Sequence, residues 1–418
     1  FAHNNSDGEF GPDGDQDIIK CGSYTGNGSS TGPVVTLGFE PGFILLKRTD
    51  DPENANWFAF DSLRGITTGG DDPYLYWNTT AAEVAGNALE VTSTGFQLKS
   101  TSSGFNGSSA SYVYMAIRRG PLAAPTDATK VFHVNQQNNA DTFSVGFPTD
   151  LALVAKTGGS SSNAVVGSRL TGDDKFLVTS GTDAEASSSS IFTFDLQNSF
   201  KQGFSTSAEN VSWLWGRAPS YFDCICYSGT GSNRTVSHNL GAVPEMMWIK
   251  CRSNTDNWAV FHKDTGATKV IFLNNDIAAS TLSTRFNDTA PTSSVFTVGT
   301  DAEVNGSGRT YIAYLFASVD GVSKVGSYTG NGASTQTIDC GFSSGARFVL
   351  LKRTDATDEW YVFDSVRGIV SGNDPFLMIN TTNAEVSNQD LIEPHSSGFI
   401  INNWANGSGS SWIFYAIA

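Results

Sequence analysis

The sequence predicts an all-β protein made of four tandem β-sandwich modules of about 100 residues each. Three observations lead to this fold class. The motif Gly-Ser-Tyr-Thr-Gly-Asn-Gly occurs at residues 22–28 and again at residues 326–332, and a shorter version occurs at residues 227–231. Short apolar runs have a period of two, as expected for strands. Clusters of Gly, Asn, Asp and Ser, which favour tight turns, separate these runs.

The repeat has the length of a whole domain. The tyrosines of the three motifs, Tyr24, Tyr227 and Tyr328, fit a period of about 101 residues, which leaves room for a further copy between the first two. We therefore divide the chain into an N-terminal arm or end of a preceding segment at residues 1–20, repeat 1 at 21–119, repeat 2 at 120–220, repeat 3 at 221–320 and repeat 4 at 321–418.

Repeats 1 and 4 match motif by motif. Leu-Lys-Arg-Thr-Asp at residues 46–50 corresponds to residues 351–355, and Phe-Asp-Ser-x-Arg-Gly at residues 60–65 corresponds to residues 363–368. Repeat 3 keeps this frame with substitutions. Repeat 2 is the divergent copy, because it lacks the glycine-rich opening.

Apolar runs within each copy predict its strands. Residues 43–47 and 348–352 are short apolar runs that suit a two-layer core, and residues 112–117 and 412–417 close their copies with alternating aromatic and aliphatic side chains. The sequence contains no capped amphipathic helix of about twelve or more residues. One helical turn is predicted at Thr79–Ala88.

Composition and charge narrow the range of partners. Charged residues make up 16% of the 418 residues, aromatic residues 12%, and glycine occurs 43 times. The net charge of −16 argues against nucleic acid as a partner and against docking on anionic membranes. No apolar run is long enough to span a membrane, so we expect no membrane insertion.

The candidate catalytic motifs are weak. Gly341-Phe-Ser-Ser-Gly345 satisfies the GxSxG pattern of a nucleophile elbow, but the aligned residues 38–42 of repeat 1 contain no serine. The sequence has five histidines: His3, His133, His238, His262 and His395. No two of them occupy the same position in the repeat. We therefore expect no catalytic residue and no cofactor.

The cysteines do not form a repeated framework, and they are Cys21, Cys224, Cys226, Cys251 and Cys340. An odd, scattered set indicates mostly reduced thiols. Cys224-Ile-Cys226 alternates as a strand does, so its spacing is a weak indication of a metal site.

Carboxylates recur at two places in the frame. Asp61 and Arg64 recur as Asp364 and Arg367, which predicts an internal ion pair that fixes a turn. The second group consists of the paired residues Asp71-Asp72, Asp173-Asp174 and Asn373-Asp374, together with the run Asp13–Asp17. These oxygens suit either a solvated turn or Ca²⁺, although a complete EF-hand loop is missing. Whether metal binds there stays open.

Tryptophans and sequons both have a structural interpretation. Trp57, Trp258 and Trp360 occupy one strand position, which favours core packing over stacking on sugars. The sequons include those that begin at Asn27, Asn78, Asn106, Asn210, Asn233, Asn305, Asn380 and Asn406. Most of these fall in turns, so backbone geometry explains them without a glycan.

The frame consists of Tyr-Thr-Gly-Asn-Gly, Lys-Arg-Thr-Asp, Trp, Phe-Asp-Ser-x-Arg-Gly, Gly-Phe, Asn-Gly-Ser and Tyr-x-Ala, and it runs from about Gly22 to Ala418. It resembles a repeat found in virion proteins of tailed phages, notably marine and cyanobacterial phages. Repeat 3 resembles another version of the same family at residues 238–250. The resemblance implies tail-fibre or adhesin-like domains with a lectin-like or jelly-roll sandwich, and it transfers no catalytic residue.

These observations lead us to expect a non-enzymatic virion structural protein, part of a tail fibre or surface appendage that mediates host attachment by multivalent binding. The phage setting implies assembly in the host cytoplasm, a final place on the virion surface, and a homotrimer. Other virion proteins, and possible host surface glycans, are the expected partners. Two alternatives stay open: a head decoration or cement protein, and a secreted bacterial protein that binds or degrades glycans.

Overall fold

The computed structural model describes residue 14 and residues 16–51, 56–137, 142–157, 162–189, 191–203 and 209–418. These residues form antiparallel β-sheets with a few single-turn helices, so the predicted all-β class is confirmed. No helix among them is long and apolar enough to cross a membrane. By packing, the chain divides into two compact units. Unit one comprises residues 1–123, 169–173 and 194–197, and unit two comprises residues 124–168, 174–193 and 198–418.

Unit one contains the sandwich of repeat 1. Its elements are β1 (Ile19–Thr25), β2 (Val34–Thr36), β3 (Pro41–Arg48), β4 (Trp57–Asp61), β5 (Asp72–Tyr76), β6 (Val84–Gly86), β7 (Leu89–Thr92), β8 (Gly95–Leu98), α1 (Ser103–Asn106) and β9 (Ser111–Arg118). The large sheet has the strand order β1-β9-β3-β4-β5-β6, and the small sheet has the order β2-β8-β7. Side chains such as Ile44 and Phe96 meet between the two sheets in one core.

Unit two contains the strands of the other repeats. In repeat 2 the elements are a 3₁₀ turn (Ala128–Lys130), β10 (Phe132–Gln137), β11 (Thr142–Ser144), β12 (Leu151–Lys156), β13 (Val165–Ser168), β14 (Lys175–Val178), β15 (Ala186–Ser187), β16 (Phe192–Thr193), β17 (Ser199–Gln202) and β18 (Asn210–Trp215). In repeat 3 they are β19 (Phe222–Ser228), β20 (Arg234–Ser237), β21 (Met246–Cys251), β22 (Ala259–His262), β23 (Lys269–Phe272), β24 (Ser280–Thr281), α2 (Ser283–Phe286), β25 (Val295–Val298), α3 (Ala302–Asn305) and β26 (Thr310–Phe316). In repeat 4 they are β27 (Ser323–Thr329), β28 (Thr335–Asp339), β29 (Phe348–Arg353), β30 (Trp360–Asp364), β31 (Leu377–Met378), β32 (Ile392–His395), β33 (Gly398–Asn402), a 3₁₀ turn (Asn403–Ala405) and β34 (Ser411–Ile417).

The strand order of the first large sheet recurs in unit two. The large sheets there have the orders β10-β18-β12-β13-β14-β15, β19-β26-β21-β22-β23-β24 and β27-β34-β29-β30-β31. The small sheets are β11-β17-β16, β20-β25 and β28-β33-β32. The sheets therefore follow the sequence repeats, while the exact module boundaries stay a prediction.

The predicted strands are present, and the predicted helical turn is wrong. The apolar runs at residues 43–47 and 348–352 lie in β3 and β29. In place of a helical turn at Thr79–Ala88, the structure has a bend followed by the edge strand β6. Val84 pairs with Tyr74 of β5, so pairing across the sheet edge outweighs the local helix preference of the alanines.

Within unit two, three large sheets pack against one another through their outer faces. We call outer the face of a large sheet that points away from its own small sheet. Ring centroids lie 6.4 Å apart for Trp215 and Phe316, 5.1 Å for Phe316 and Tyr415, and 5.5 Å for Trp215 and Phe348. All four rings are buried. Repeats 2, 3 and 4 thus share an aromatic core in addition to the core of each sandwich.

Candidate functional site

The tyrosine of each glycine-rich opening fixes its loop. The Tyr24 ring stacks on Tyr112, with centroids 4.8 Å apart, and its hydroxyl donates a hydrogen bond of 2.7 Å to Phe105 O. The equivalent tyrosines make the same two contacts, with Tyr311 and Val304 O in repeat 3 and with Trp412 and Ala405 O in repeat 4. Burial raises the pKa of Tyr24. The tyrosine of the glycine-rich motif therefore has a structural role, because it holds the loop against the rest of the sandwich.

The asparagine of each Asn-Gly-Ser motif is buried beneath the glycine-rich loop. Asn106 Oδ1 accepts a hydrogen bond from Asn27 N at 2.8 Å, and Asn106 Nδ2 donates to Ser29 O at 2.8 Å. Asn305 and Asn406 make the corresponding bonds in repeats 3 and 4. All three side chains are buried. A glycan at any of them would displace these bonds, so these three sequons serve loop geometry, as predicted.

The predicted Asp–Arg ion pairs are confirmed. Arg64 Nε donates to Asp61 Oδ2 at 2.6 Å, and Arg367 Nε donates to Asp364 Oδ2 at 2.6 Å. The two pairs differ in exposure, because the side chains of Asp61 and Arg64 are 27% and 22% exposed while those of Asp364 and Arg367 are 0% and 1% exposed. Asp364 Oδ2 also accepts from Trp213 Nε1 at 3.0 Å. The second pair thus belongs to the packing between repeats.

The second carboxylate of the Asp-rich turns binds backbone N–H groups. The donors are those of Thr67, Ala88 and Leu89 for Asp72, and those of Val370, Leu391 and Ile392 for Asp374. Burial raises the pKa of Asp72 to about 7, against the opposite effect of these hydrogen bonds. Both side chains are buried, so these carboxylates fix the turn from inside rather than facing solvent.

The structure gives no support for a calcium site at these turns. No group of three or more His, Cys, Asp or Glu side chains is placed to hold a metal ion anywhere in the described ranges. In repeat 2, Asp173 Oδ1 instead accepts from Phe194 N at 2.9 Å. Asp13 and Asp15 of the N-terminal acidic run lie outside the described residues.

The other candidate groups are also engaged in local packing. Cys224 and Cys226 lie in β19 as predicted, all five cysteines are free thiols, and burial raises the pKa of Cys224. Burial lowers the pKa of His262 to about 4. Ser343 of the GxSxG pattern lies in an exposed bend that leads into β29, so the strand–turn–helix setting of a nucleophile elbow is missing there. The remaining described histidines are His133, His238 and His395, and their ring contacts are with Phe143, Thr292 O and Ser397.

The three frame tryptophans do not pack in the core of their own sandwich. Trp258 and Trp360 are buried on outer faces, where Trp258 Nε1 donates to Val178 O of repeat 2 at 2.8 Å and Trp360 Nε1 donates to Phe272 O of repeat 3 at 2.9 Å. Trp57 is 37% exposed, so the prediction of core packing is wrong for it. At this strand position the ring is buried in repeats 3 and 4, where it contacts the preceding repeat, and partly exposed in repeat 1.

The outer face of the first large sheet has exposed apolar side chains. Trp57, Leu75 and Val113 are each 37% exposed, and Trp77 is 59% exposed. Lys47 Nζ lies 5.6 Å from the centre of the Trp57 ring. Sequence reasoning missed this surface, because Leu75 and Val113 alternate with core residues like any strand side chain. Exposed apolar groups that cluster in this way mark interaction sites.

A polar cleft of about 400 Å³ lies in unit two. Its charged side chains are Lys263, Lys324, Asp264 and Asp339, and Tyr328 and Phe414 also line it. Two positive and two negative groups balance each other at this site. Such a cleft can form hydrogen bonds to a polar ligand.

Residues 16–121 and 126–418 match the model of a protein family described as a domain of unknown function, DUF7483. The chain belongs to the DUF7483 family. No curated protein matches the sequence. Membership of the DUF7483 family does not assign an activity, so function has to be argued from the side chains.

In this DUF7483 chain, the polar residues shared by the repeats stabilise the loops and turns of the fold. The tyrosines, asparagines, aspartates and arginines of the frame bind backbone groups or one another. Among the described residues, two surfaces open to a partner are the outer face of the first large sheet and the polar cleft. Both can bind a partner.

Proposed function

We propose that this protein is a non-enzymatic structural protein of a phage virion, part of a tail fibre or surface appendage that mediates host attachment. One observation carries the proposal: the frame shared by the repeats is a scaffold. Its recurring polar side chains are buried in loop and turn contacts, as in Asn106, Asn305 and Asn406. A scaffold repeated along one chain offers several binding surfaces, and weak sites joined in this way gain avidity through effective concentration.

The packing of unit two supports a load-bearing role. Its large sheets contact one another through buried aromatic side chains and a buried ion pair, Asp364–Arg367. Such a unit resists local opening, because its contacts are buried and non-local. The phage setting itself rests on the resemblance of the repeat frame to tailed-phage virion proteins. Other virion proteins and a host surface glycan are the partners that this setting implies, and the virion surface is the corresponding location.

Cryo-electron microscopy of intact particles that carry the chain tests this role. Density for the chain at a tail or fibre tip would support attachment. Density over the head lattice would replace it with a decoration or cement protein. A chain found in no particle would favour a secreted protein that binds glycans.

A separate assay tests the non-enzymatic part of the proposal. Purified protein is incubated with host surface polysaccharide, and the chain length of the polysaccharide is followed by size-exclusion chromatography. The expected result is an unchanged profile that matches a heat-denatured control. Progressive shortening with catalytic amounts of protein would contradict the proposal, since a depolymerase needs two carboxyl groups placed across a cleft.

A further inference from the structure

Repeats 3 and 4 each bind the preceding repeat through the same two side chains. Trp258 Nε1 and Lys250 Nζ of repeat 3 donate to the carbonyl oxygens of Val178 and Thr182, at 2.8 and 3.1 Å. Trp360 Nε1 and Lys352 Nζ of repeat 4 donate to those of Phe272 and Asp276, at 2.9 and 3.0 Å. In both contacts the two acceptors are four positions apart: the first ends the fifth strand of the large sheet, and the second lies in the segment after it. One interface is therefore used twice.

Backbone hydrogen bonds repeat in the same two interfaces. Between repeats 2 and 3 they run from Glu185 N to Arg252 O and from Asp256 N to Thr182 O, both at 2.8 Å. Between repeats 3 and 4 they run from Ala279 N to Thr354 O at 2.9 Å and from Asp358 N to Asp276 O at 2.8 Å. The agreement extends to main-chain atoms, so the two interfaces have the same geometry.

A third interface joins repeats 2 and 4 and closes a ring. Repeat 2 has Ala155 and Ala164 at the positions of the lysine and tryptophan. Its contact with repeat 4 instead uses Thr179 Oγ1, which donates to Ile379 O at 2.5 Å, and Trp213 Nε1, which donates to Asp364. Three outer faces thus cover one another in a closed arrangement of three sheets.

Repeat 1 has the complete donor and acceptor set of this interface. Lys47 and Trp57 occupy the donor positions. Tyr76 pairs with Phe58, the residue after the tryptophan position, as Phe272 pairs with Ala259 in repeat 3. Tyr76 O and Thr80 O therefore correspond to the two acceptors. The first large sheet is equipped both to donate and to accept.

The same positions are exposed in repeat 1 and buried in unit two. Trp77 is 59% exposed, whereas Leu273 and Ile379, which follow the equivalent strands, are 0% and 1% exposed. Val113, which pairs with Lys47, is 37% exposed, and Ile312, which pairs with Lys250, is 0% exposed. The covering of this face by other repeats accounts for the difference.

We propose that the outer face of the first large sheet binds the same face of two further copies of this chain, so that the protein forms a homotrimer. In this trimer, Trp57 Nε1 donates to Tyr76 O of the partner subunit, and Lys47 Nζ donates to Thr80 O of the partner subunit. The donors lie on β3 and β4 and the acceptors at and after the end of β5, so each copy binds the next through two different sets of atoms, in a head-to-tail contact that can close a ring. In unit two, two such contacts and the different contact between repeats 2 and 4 close a ring of three sheets, and three identical contacts would close the corresponding ring of three subunits.

Light scattering of the full chain after size-exclusion chromatography tests the trimer independently of the proposed function. The wild type is expected to have three times the mass of one chain at micromolar concentration. Trp77→Asp places three carboxylates in the interface and is expected to weaken the trimer at least about thirtyfold, leaving folded monomer. Val34→Asp is the matched control, because Val34 is 57% exposed on the small sheet of the same repeat. It should remain a trimer.

Circular dichroism checks that each variant is folded. A wild type that is a monomer or a dimer overturns the proposal, as does a folded Trp77→Asp variant that remains a trimer. Dissociation of Val34→Asp to the same extent also overturns it, because the effect would then not belong to the outer face. If Trp77→Asp does not fold, Trp57→Phe decides. Loss of one donor should weaken the trimer about tenfold, and unchanged affinity would refute the interface.

Discussion

Replacing Asp364 by asparagine tests the role assigned to the buried ion pair in unit two. Asp364 Oδ2 accepts hydrogen bonds from Arg367 Nε at 2.6 Å and from Trp213 Nε1 at 3.0 Å. The Arg367 guanidinium also lies over the Trp213 ring, 5.3 Å from its centre. Asparagine has nearly the same volume, so the substitution creates no cavity. It removes the negative charge and replaces one of the two acceptor oxygens by an NH₂ group. That NH₂ group cannot accept the hydrogen bonds that the carboxylate oxygen accepted.

The expected loss in the free energy of unfolding is about 2–4 kcal/mol, because Arg367 keeps only its ion pair with Glu385 Oε1 at 2.9 Å and two buried donors lose a charged acceptor. Asp61→Asn is the matched control at the same frame position in repeat 1. There Arg64 keeps 22% of its side chain exposed, and water can solvate the remaining charge. We expect that substitution to cost about 1 kcal/mol or less.

Denaturant unfolding of the full chain, with far-ultraviolet circular dichroism and tryptophan fluorescence followed together, measures both costs. Because the chain has two compact units, each unit's transition is fitted separately where the two probes diverge. The reasoning predicts that Asp364→Asn lowers the unit-two transition and Asp61→Asn leaves it unchanged. Equal losses for the two variants, or a larger loss for Asp61→Asn, would refute the claim that burial decides the value of this pair.

Three further predictions concern stability. Burial lowers the pKa of Lys352 from 10.5 to about 8, so above pH 8 the unfolded state binds more protons than the folded state. Between pH 7 and 9 the free energy of unfolding of the wild type should therefore rise by about 1 kcal/mol relative to that of Lys352→Met. A difference that does not change with pH would contradict this. Asn305→Ala should cost about 2–4 kcal/mol by denaturant unfolding, because it removes the donor to the buried Gly299 O and the acceptor of Thr230 N. The exposed Asn233→Ala should change stability by less than about 0.5 kcal/mol, and equal losses for the two variants would contradict this. Gly330→Ala should cost about 2 kcal/mol, since a Cβ there would lie 2.2 Å from Gly407 O, and a variant as stable as the wild type would show that the loop shifts freely.

The sequence predicts the strands of the large sheets better than the small ones. The apolar run at residues 43–47 identifies β3, because both faces of that strand contact other side chains. The small sheet depends on pairings distant in sequence, such as Val35 with Phe96, and local periodicity contains no information about them. The edge strand β6 was missed for a related reason, since its residues gain strand structure only by pairing with β5.

Among the candidate site residues, the local contacts were predictable and the distant ones were not. Asp364 and Arg367 are three positions apart in one turn, so a sequence pattern suffices to pair them. Trp57 and Trp360 have the same place in the frame, yet one is 37% exposed and the other 1%. Their strand position points outward in both repeats. Which of them is buried depends on whether another repeat covers that face, and this is a property of the assembly of repeats.

The divergence of repeat 2 has a structural explanation in the ring of unit two. A ring closed by three copies of one repeat would use one interface three times, but repeats 3 and 4 supply only two of the three lysine–tryptophan pairs. Repeat 2, with alanines at both positions, supplies Trp213 where repeat 4 has Tyr415, and this larger side chain reaches Asp364. Its differences from the frame thus lie where it makes a different contact. Repeat 1 keeps the lysine and the tryptophan, and Trp57 and Trp77 on its outer face are exposed.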